Sequence, residues 1–136
     1  MKLVPHLAFD GRCEEAFQYY EKHLGGKITR LALYEGTPAE QMMPAGLRKK
    51  VIHAQIQIGG STLMGADSPP GRYETTHGIA VTLEADTPAD AQRMFDALAD
   101  GGSVQMAMDK TFFAEKFGAL RDRFGIPWMV ICEKPA

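Results

Sequence analysis

DGRCEEAFQYYEKHLGG, residues 10–26, has an echo seventy-six positions on: DTPADAQRMFDALADGG, residues 86–102. In the first stretch Cys13, Ala16, Phe17 and Tyr20 recur at helical spacing. In the second, Ala91, Met94, Phe95 and Leu98 do the same. Each helix is halted by a glycine pair, Gly25-Gly26 or Gly101-Gly102. Thr87 reads as an N-cap, with Pro88 at the first helical position and Asp90 as the capping-box acid.

The flanks repeat as well. A strand pattern precedes each helix, at Lys2 to Phe9 and at His77 to Ala85. Strand patterns follow at Lys27 to Tyr34, Val51 to Ile58 and Ser61 to Ala66, then at Val104 to Met108, Phe112 to Leu120 and Ile126 to Glu133. Within Val51 to Ile58, Ile52, Ala54, Ile56 and Ile58 alternate with His53, Gln55 and Gln57. Gly59-Gly60 makes the hairpin turn that follows. The chain therefore reads as two copies of one βαβββ module, an α+β fold. Module one is residues 1–67. A linker with Pro69, Pro70 and Gly71 covers residues 68–76. Module two is residues 77–136. Neither copy can close a core alone, so the 136 residues are read as one domain. Glu35 to Lys50 has no period and reads as a long loop that offers Met42 and Met43 to solvent.

Composition narrows the partners. A hydrophobic share of 45% and a charged share of 24% are those of an ordinary globular protein. Fifteen basic and 17 acidic residues leave a net charge of −2, so no basic field exists for nucleic acid. No apolar run approaches membrane-spanning length, and Pro5, His6 and Asp10 interrupt any leader-like stretch. Cys13 and Cys132 read as buried, reduced thiols, which points to a cytoplasmic protein.

No nucleophile elbow is present, and no glycine-rich loop precedes a helix. His53 is the sharpest single polar feature. It is either a cavity-facing base or donor, or a strand histidine on a wet face beside Gln55 and Gln57. Trp128 is either a pocket wall or a core anchor. Phe112, Phe113 and Phe117 read as core filling. Arg72 and Arg121 read as solvated turn residues able to meet an anion.

Three stretches together resemble a known family. They are Pro5 to Gly11 with Glu14 to Tyr20 and Leu24-Gly25-Gly26; His53-Ala54 with Ile58-Gly59-Gly60, Leu63-Met64 and Asp67; and Asp122-Arg123-Phe124-Gly125-Ile126-Pro127-Trp128. The chain resembles the PhnB-like branch of the glyoxalase/bleomycin resistance (vicinal oxygen chelate) superfamily. The resemblance implies two βαβββ modules forming a curved mixed sheet, a small-molecule cavity on its concave face, and a homodimer. Such chains are sometimes labelled demethylubiquinone methyltransferases. No nucleotide-binding strand, glycine loop and helix unit is present here to hold a methyl donor.

The resemblance also implies metal ligands, two histidines and two glutamates, on the first and last strands of each module. Matched residue by residue, those positions fall at Pro5, Met64, Gly78 and Met129, with His6 and His77 one residue off. A thioether is a poor ligand for a hard divalent ion, and a one-residue offset turns a strand side chain to the other face. No metal and no cofactor are therefore expected. The expected role is binding of a small, largely apolar molecule. The alternative is an isomerase, lyase or dioxygenase-like enzyme with an altered metal site, which Glu84 or Asp109 reaching the cavity would favour. The expected ligand-binding residues are Leu7, Phe9, His53, Met64, Ala80, Trp128 and Met129; no catalytic residue is identified.

Overall fold

The computed structural model describes residues 1–135. Ala136, the last residue of the expected second module, lies outside the described residues. Two compact units divide the chain, one ending at Glu74 and the other beginning at Thr75.

The first unit runs β1 (His6–Phe9), α1 (Cys13–Leu24), β2 (Lys27–Leu33), β3 (Val51–Ile58) and β4 (Ser61–Asp67). Its sheet order is β1-β4-β3-β2; β1 lies parallel to β4 and the other neighbours are antiparallel. The second unit repeats this with β5 (Val81–Glu84), α2 (Pro88–Ala99), β6 (Ser103–Asp109), β7 (Ala114–Arg121) and β8 (Pro127–Glu133), in the order β5-β8-β7-β6. Hydrogen bonding thus yields two four-stranded mixed sheets, each with one helix, which is the α+β, twofold βαβββ arrangement.

Each helix covers one face of its own sheet. α1 buries Cys13, Ala16, Phe17, Tyr20 and Leu24, and Phe17 meets Phe9 edge-on at 6.0 Å. α2 buries Ala91, Phe95 and Leu98. A fully buried aromatic of this size contributes roughly 2–3 kcal/mol. The close fit requires glycine beneath each ring. A Cβ on Gly65 would lie 2.9 Å from Phe17, and one on Gly118 would lie 2.8 Å from Phe95.

Two strands are shorter than the sequence suggests. β1 starts at His6, because Pro5 has no N–H to give; its carbonyl still accepts the Met64 amide at 2.9 Å. β5 starts at Val81, because residues 75–80 are held elsewhere. Arg121 Nη1 donates to the Thr76 carbonyl at 2.8 Å, and Gly78 takes a left-handed φ of 78°. The loop at residues 35–50 is not loose. It holds two short 3-10 turns, Glu40–Met42 and Ala45–Leu47, and its ends are tied by Tyr34 N to Lys50 O and Glu35 N to Arg48 O. Met43 is buried there, whereas Met42 stays exposed. Phe112 and Phe113 do not fill the core as expected; they are exposed, stacked edge-on at 5.1 Å.

Candidate functional site

In each unit the sheet face away from the helix is where a ligand could lie, and strand register assigns side chains to it. In the first unit His6 pairs with Met64, Met64 with Gln55, and Gln55 with Arg30. Directly paired residues share a face, so these four form one row on the helix-free side. His53 pairs with Ala32 and lies on that side too, one row along. Leu7 pairs with Gly65 and Phe9 with Asp67, which puts both on the helix side, and both are buried.

Leu7 and Phe9, expected as ligand-binding residues, are therefore core residues under α1 and do not line the helix-free face. The error was one of parity. His6, not Pro5, stands beside Met64. His53 and Met64 do share the helix-free face. His6 is held below the usual histidine range, first by loss of solvent and then by repulsion from the neighbouring His53.

In the second unit Thr82 pairs with Met129, Met129 with Ala119, and Ala119 with Met106. Met129 and Met106 are both partly exposed on that side. Trp128 pairs with Val81 and Leu120 and faces the other way. It is 1% exposed, and its Nε1 donates to Asp122 Oδ2 at 2.9 Å. Of its two readings the core anchor holds, and Trp128 is no pocket wall.

Ala80 and Met129 line an open pocket of about 310 Å³ together with His77, Gly78, Ile79, Gln105, Arg121 and Pro127. Arg121 is not a free anion receptor at Nη1. That nitrogen donates to Thr76 O and, at 2.7 Å, to Gly125 O. Glu84 and Asp109 lie on the helix-free side at opposite ends of one row, with Ile131 and Phe117 between them. Three strand spacings, roughly 14 Å, separate their backbones, and neither lines the pocket. They do not form a working acid–base pair.

The donors fit a hard divalent ion poorly. Where the family's first and last strands meet, the first unit offers His6 with Met64 and the second offers Thr82 with Met129. Among the described residues no three His, Cys, Asp or Glu side chains gather to hold a metal. A second, smaller-scale surprise is Asp67. The last residue of module one, just before the Pro-rich linker, it is 1% exposed. Its Oδ1 accepts the Cys13 amide and its Oδ2 the Val51 amide, both at 2.9 Å. Burial of Cys13, and then the charge of this carboxylate, push the thiol far up, so Cys13 is an inert core group. Asp122 plays the matching part in the second unit, accepting from the Phe124 and Ile126 amides and from Trp128. The partners of Asp122 are local, within six residues, whereas those of Asp67 are set by tertiary structure and carry no local signal.

Among the described residues no helix is long and apolar enough to cross a membrane.

Comparison with known proteins places the chain. The sequence profile of the family described as 3-demethylubiquinone-9 3-methyltransferase matches residues 1–131. Protein YjdN of Escherichia coli is 32% identical, over 96% of this chain and 94% of its own. The crystal structure of protein PA1353 from Pseudomonas aeruginosa is 42% identical, covers 99% of both chains and superposes with a TM-score of 0.89. The PhnB protein of Bacillus cereus is 25% identical, with 97% and 99% coverage and a TM-score of 0.82. A glyoxylase/bleomycin resistance protein/dioxygenase domain from Frankia, at 12% identity, 100% and 93% coverage and a TM-score of 0.71, shares the fold. The chain thus has the glyoxylase/bleomycin resistance protein/dioxygenase fold, resembles the PhnB protein in sequence and structure, and belongs to the family described as 3-demethylubiquinone-9 3-methyltransferase.

Proposed function

We propose that this protein binds a small, largely apolar molecule on the helix-free face of its sheets, without a divalent metal. The observation that carries the reading is the pocket beside β5. Ile79, Ala80, Pro127 and Met129 supply its walls, no carboxylate lines it, and the Nη1 of its one cation is already engaged by two carbonyls. Apolar walls with few polar groups are the usual make-up of a small-molecule site, and thioethers adapt to varied shapes. In the first unit His53 and Met64 are the corresponding candidates. The methyltransferase name is not adopted as an activity, since neither unit contains a glycine-rich strand-to-helix crossover of the kind that cradles a nucleotide. We further propose a cytoplasmic homodimer with no nucleic-acid or membrane partner.

Calorimetric titration tests the reading. β-Naphthol should bind, naphthyl phosphate should not, and Met129→Glu should abolish binding of the former. Tight binding of the phosphate ester with none of the naphthol would overturn it. The enzyme alternative would gain if Glu84→Gln removed a turnover that Met129→Glu left intact.

A further inference from the structure

In the pocket beside β5 the backbone sets the neutral tautomer of one hydrogen-bonding group. His77 Nδ1 lies 3.0 Å from the Thr75 carbonyl oxygen. A carbonyl can only accept, so Nδ1 carries the hydrogen. In the neutral ring Nε2 is then left with a lone pair and can only accept. Among the described residues Nε2 has no partner; His77 is an exposed side chain at the rim of the pocket it lines.

The segment bearing this ring is held firmly. Arg121 Nη1 binds the Thr76 carbonyl from below and ties it to the Gly125 carbonyl of the turn before β8. Gly78, immediately after His77, turns the chain at φ 78°, a conformation that strains any residue with a side chain. Arg121 and Gly78 are positioning residues; His77 presents the acceptor. The other walls are Ile79, Ala80, Pro127 and Met129, with Gln105 the remaining uncharged polar side chain.

We infer that this pocket selects a neutral, largely apolar molecule carrying one hydroxyl, whose O–H donates to His77 Nε2. The inference rests on the small-molecule reading above and narrows its ligand class. A carboxylate or phosphate would set lone pair against lone pair at Nε2 of the neutral ring. An ether would fill the same volume and leave the acceptor unpaired, a mismatch that apolar sites discriminate against.

The matched pair β-naphthol and its methyl ether tests this on the full chain. The naphthol should bind about tenfold more tightly to wild type, the worth of one hydrogen bond. In His77→Ala the two should bind alike. The His77 imidazole nitrogen shifts, read by NMR in the wild type, should show a protonated Nδ1 and should move at Nε2 with naphthol but not with the ether. That readout needs no variant to fold and would not respond to a structural role. If both compounds bind wild type equally, or the preference survives in His77→Ala, this inference falls and the apolar-pocket reading stands. If neither binds, both fall.

Discussion

At the scale of single residues, the two buried aspartates tie chain segments together, and His6 makes stability depend on pH. Asp67 holds together three chain segments that are distant in sequence: the first amide of α1, the first amide of β3, and Tyr34, whose Oη donates to the Asp67 carbonyl at 2.7 Å. Asn at this position would set an NH₂ group against one of the two amide donors. Asp67→Asn should cost about 2–4 kcal/mol, read as a lowered urea midpoint. His6 contributes in the opposite sense. Its folded value lies below the ordinary 6.5, so the unfolded chain takes the proton first as the solution is acidified. Stability is therefore highest above the unfolded value. It falls as pH drops from 6.5 to the folded value, and is flat in this contribution below that. Urea midpoints taken from about pH 8 down to about pH 5 should decline more steeply in wild type than in His6→Gln. A steeper decline in the variant would refute the assignment. None of this was legible in the sequence. Asp67 precedes Ser-Pro-Pro-Gly and looks like a surface turn, and its acceptor role depends on a helix amide 54 residues away.

At the scale of elements, the two helices solve the same problem by different means. α2 caps itself: the Asp90 amide donates to Thr87 Oγ1 at 3.1 Å, with Pro88 next in line. α1 begins after Arg12, which supplies no side-chain cap, and borrows the Asp67 carboxylate from the end of β4. Thr87→Ala should thus cost about 1 kcal/mol, confined to a local loss. Gly65→Ala should cost more, roughly 1–3 kcal/mol, because the ring it would strike is wedged against Phe9 and Tyr20. Thermal unfolding of the two variants ranks them, and a Gly65→Ala protein as stable as wild type would contradict the packing. The helical periodicity, the glycine stops and the Thr87 cap of α2 were legible because they are local; the Asp67 cap of α1 was not. Strand parity in β1 was not. The apolar pattern of Leu3, Leu7 and Phe9 fits either face of a sheet, and a one-residue error in aligning a motif exchanges the two. Partner strands decide it: Leu7 sits on Gly65, beneath Phe17, only because β1 lies parallel to β4 in that register.

At the scale of the whole molecule, the repeat dictates where apolar surface is left over. In each unit one long edge strand, β2 or β6, is exposed along nearly its entire length. β6 carries Val104 and Met106, each 53% exposed, and β2 carries Leu31 at 38%. A seven-residue edge with open backbone groups and apolar side chains invites pairing with another chain, and natural proteins rarely leave one uncovered. A second copy of this chain is the cover that the proposed homodimer supplies, because a twofold contact lets the same edge serve both partners. Light scattering should then give about 30 kDa, twice the 14.9 kDa of one chain. Met106→Lys, which puts a charge on that edge without touching the core, should shift the mass toward a single chain while the thermal unfolding remains cooperative. A wild-type mass of one chain across micromolar concentrations would sink the dimer. A dimer that survives Met106→Lys unchanged would instead move the contact away from β6, and leave Leu31 on β2 as the next residue to charge.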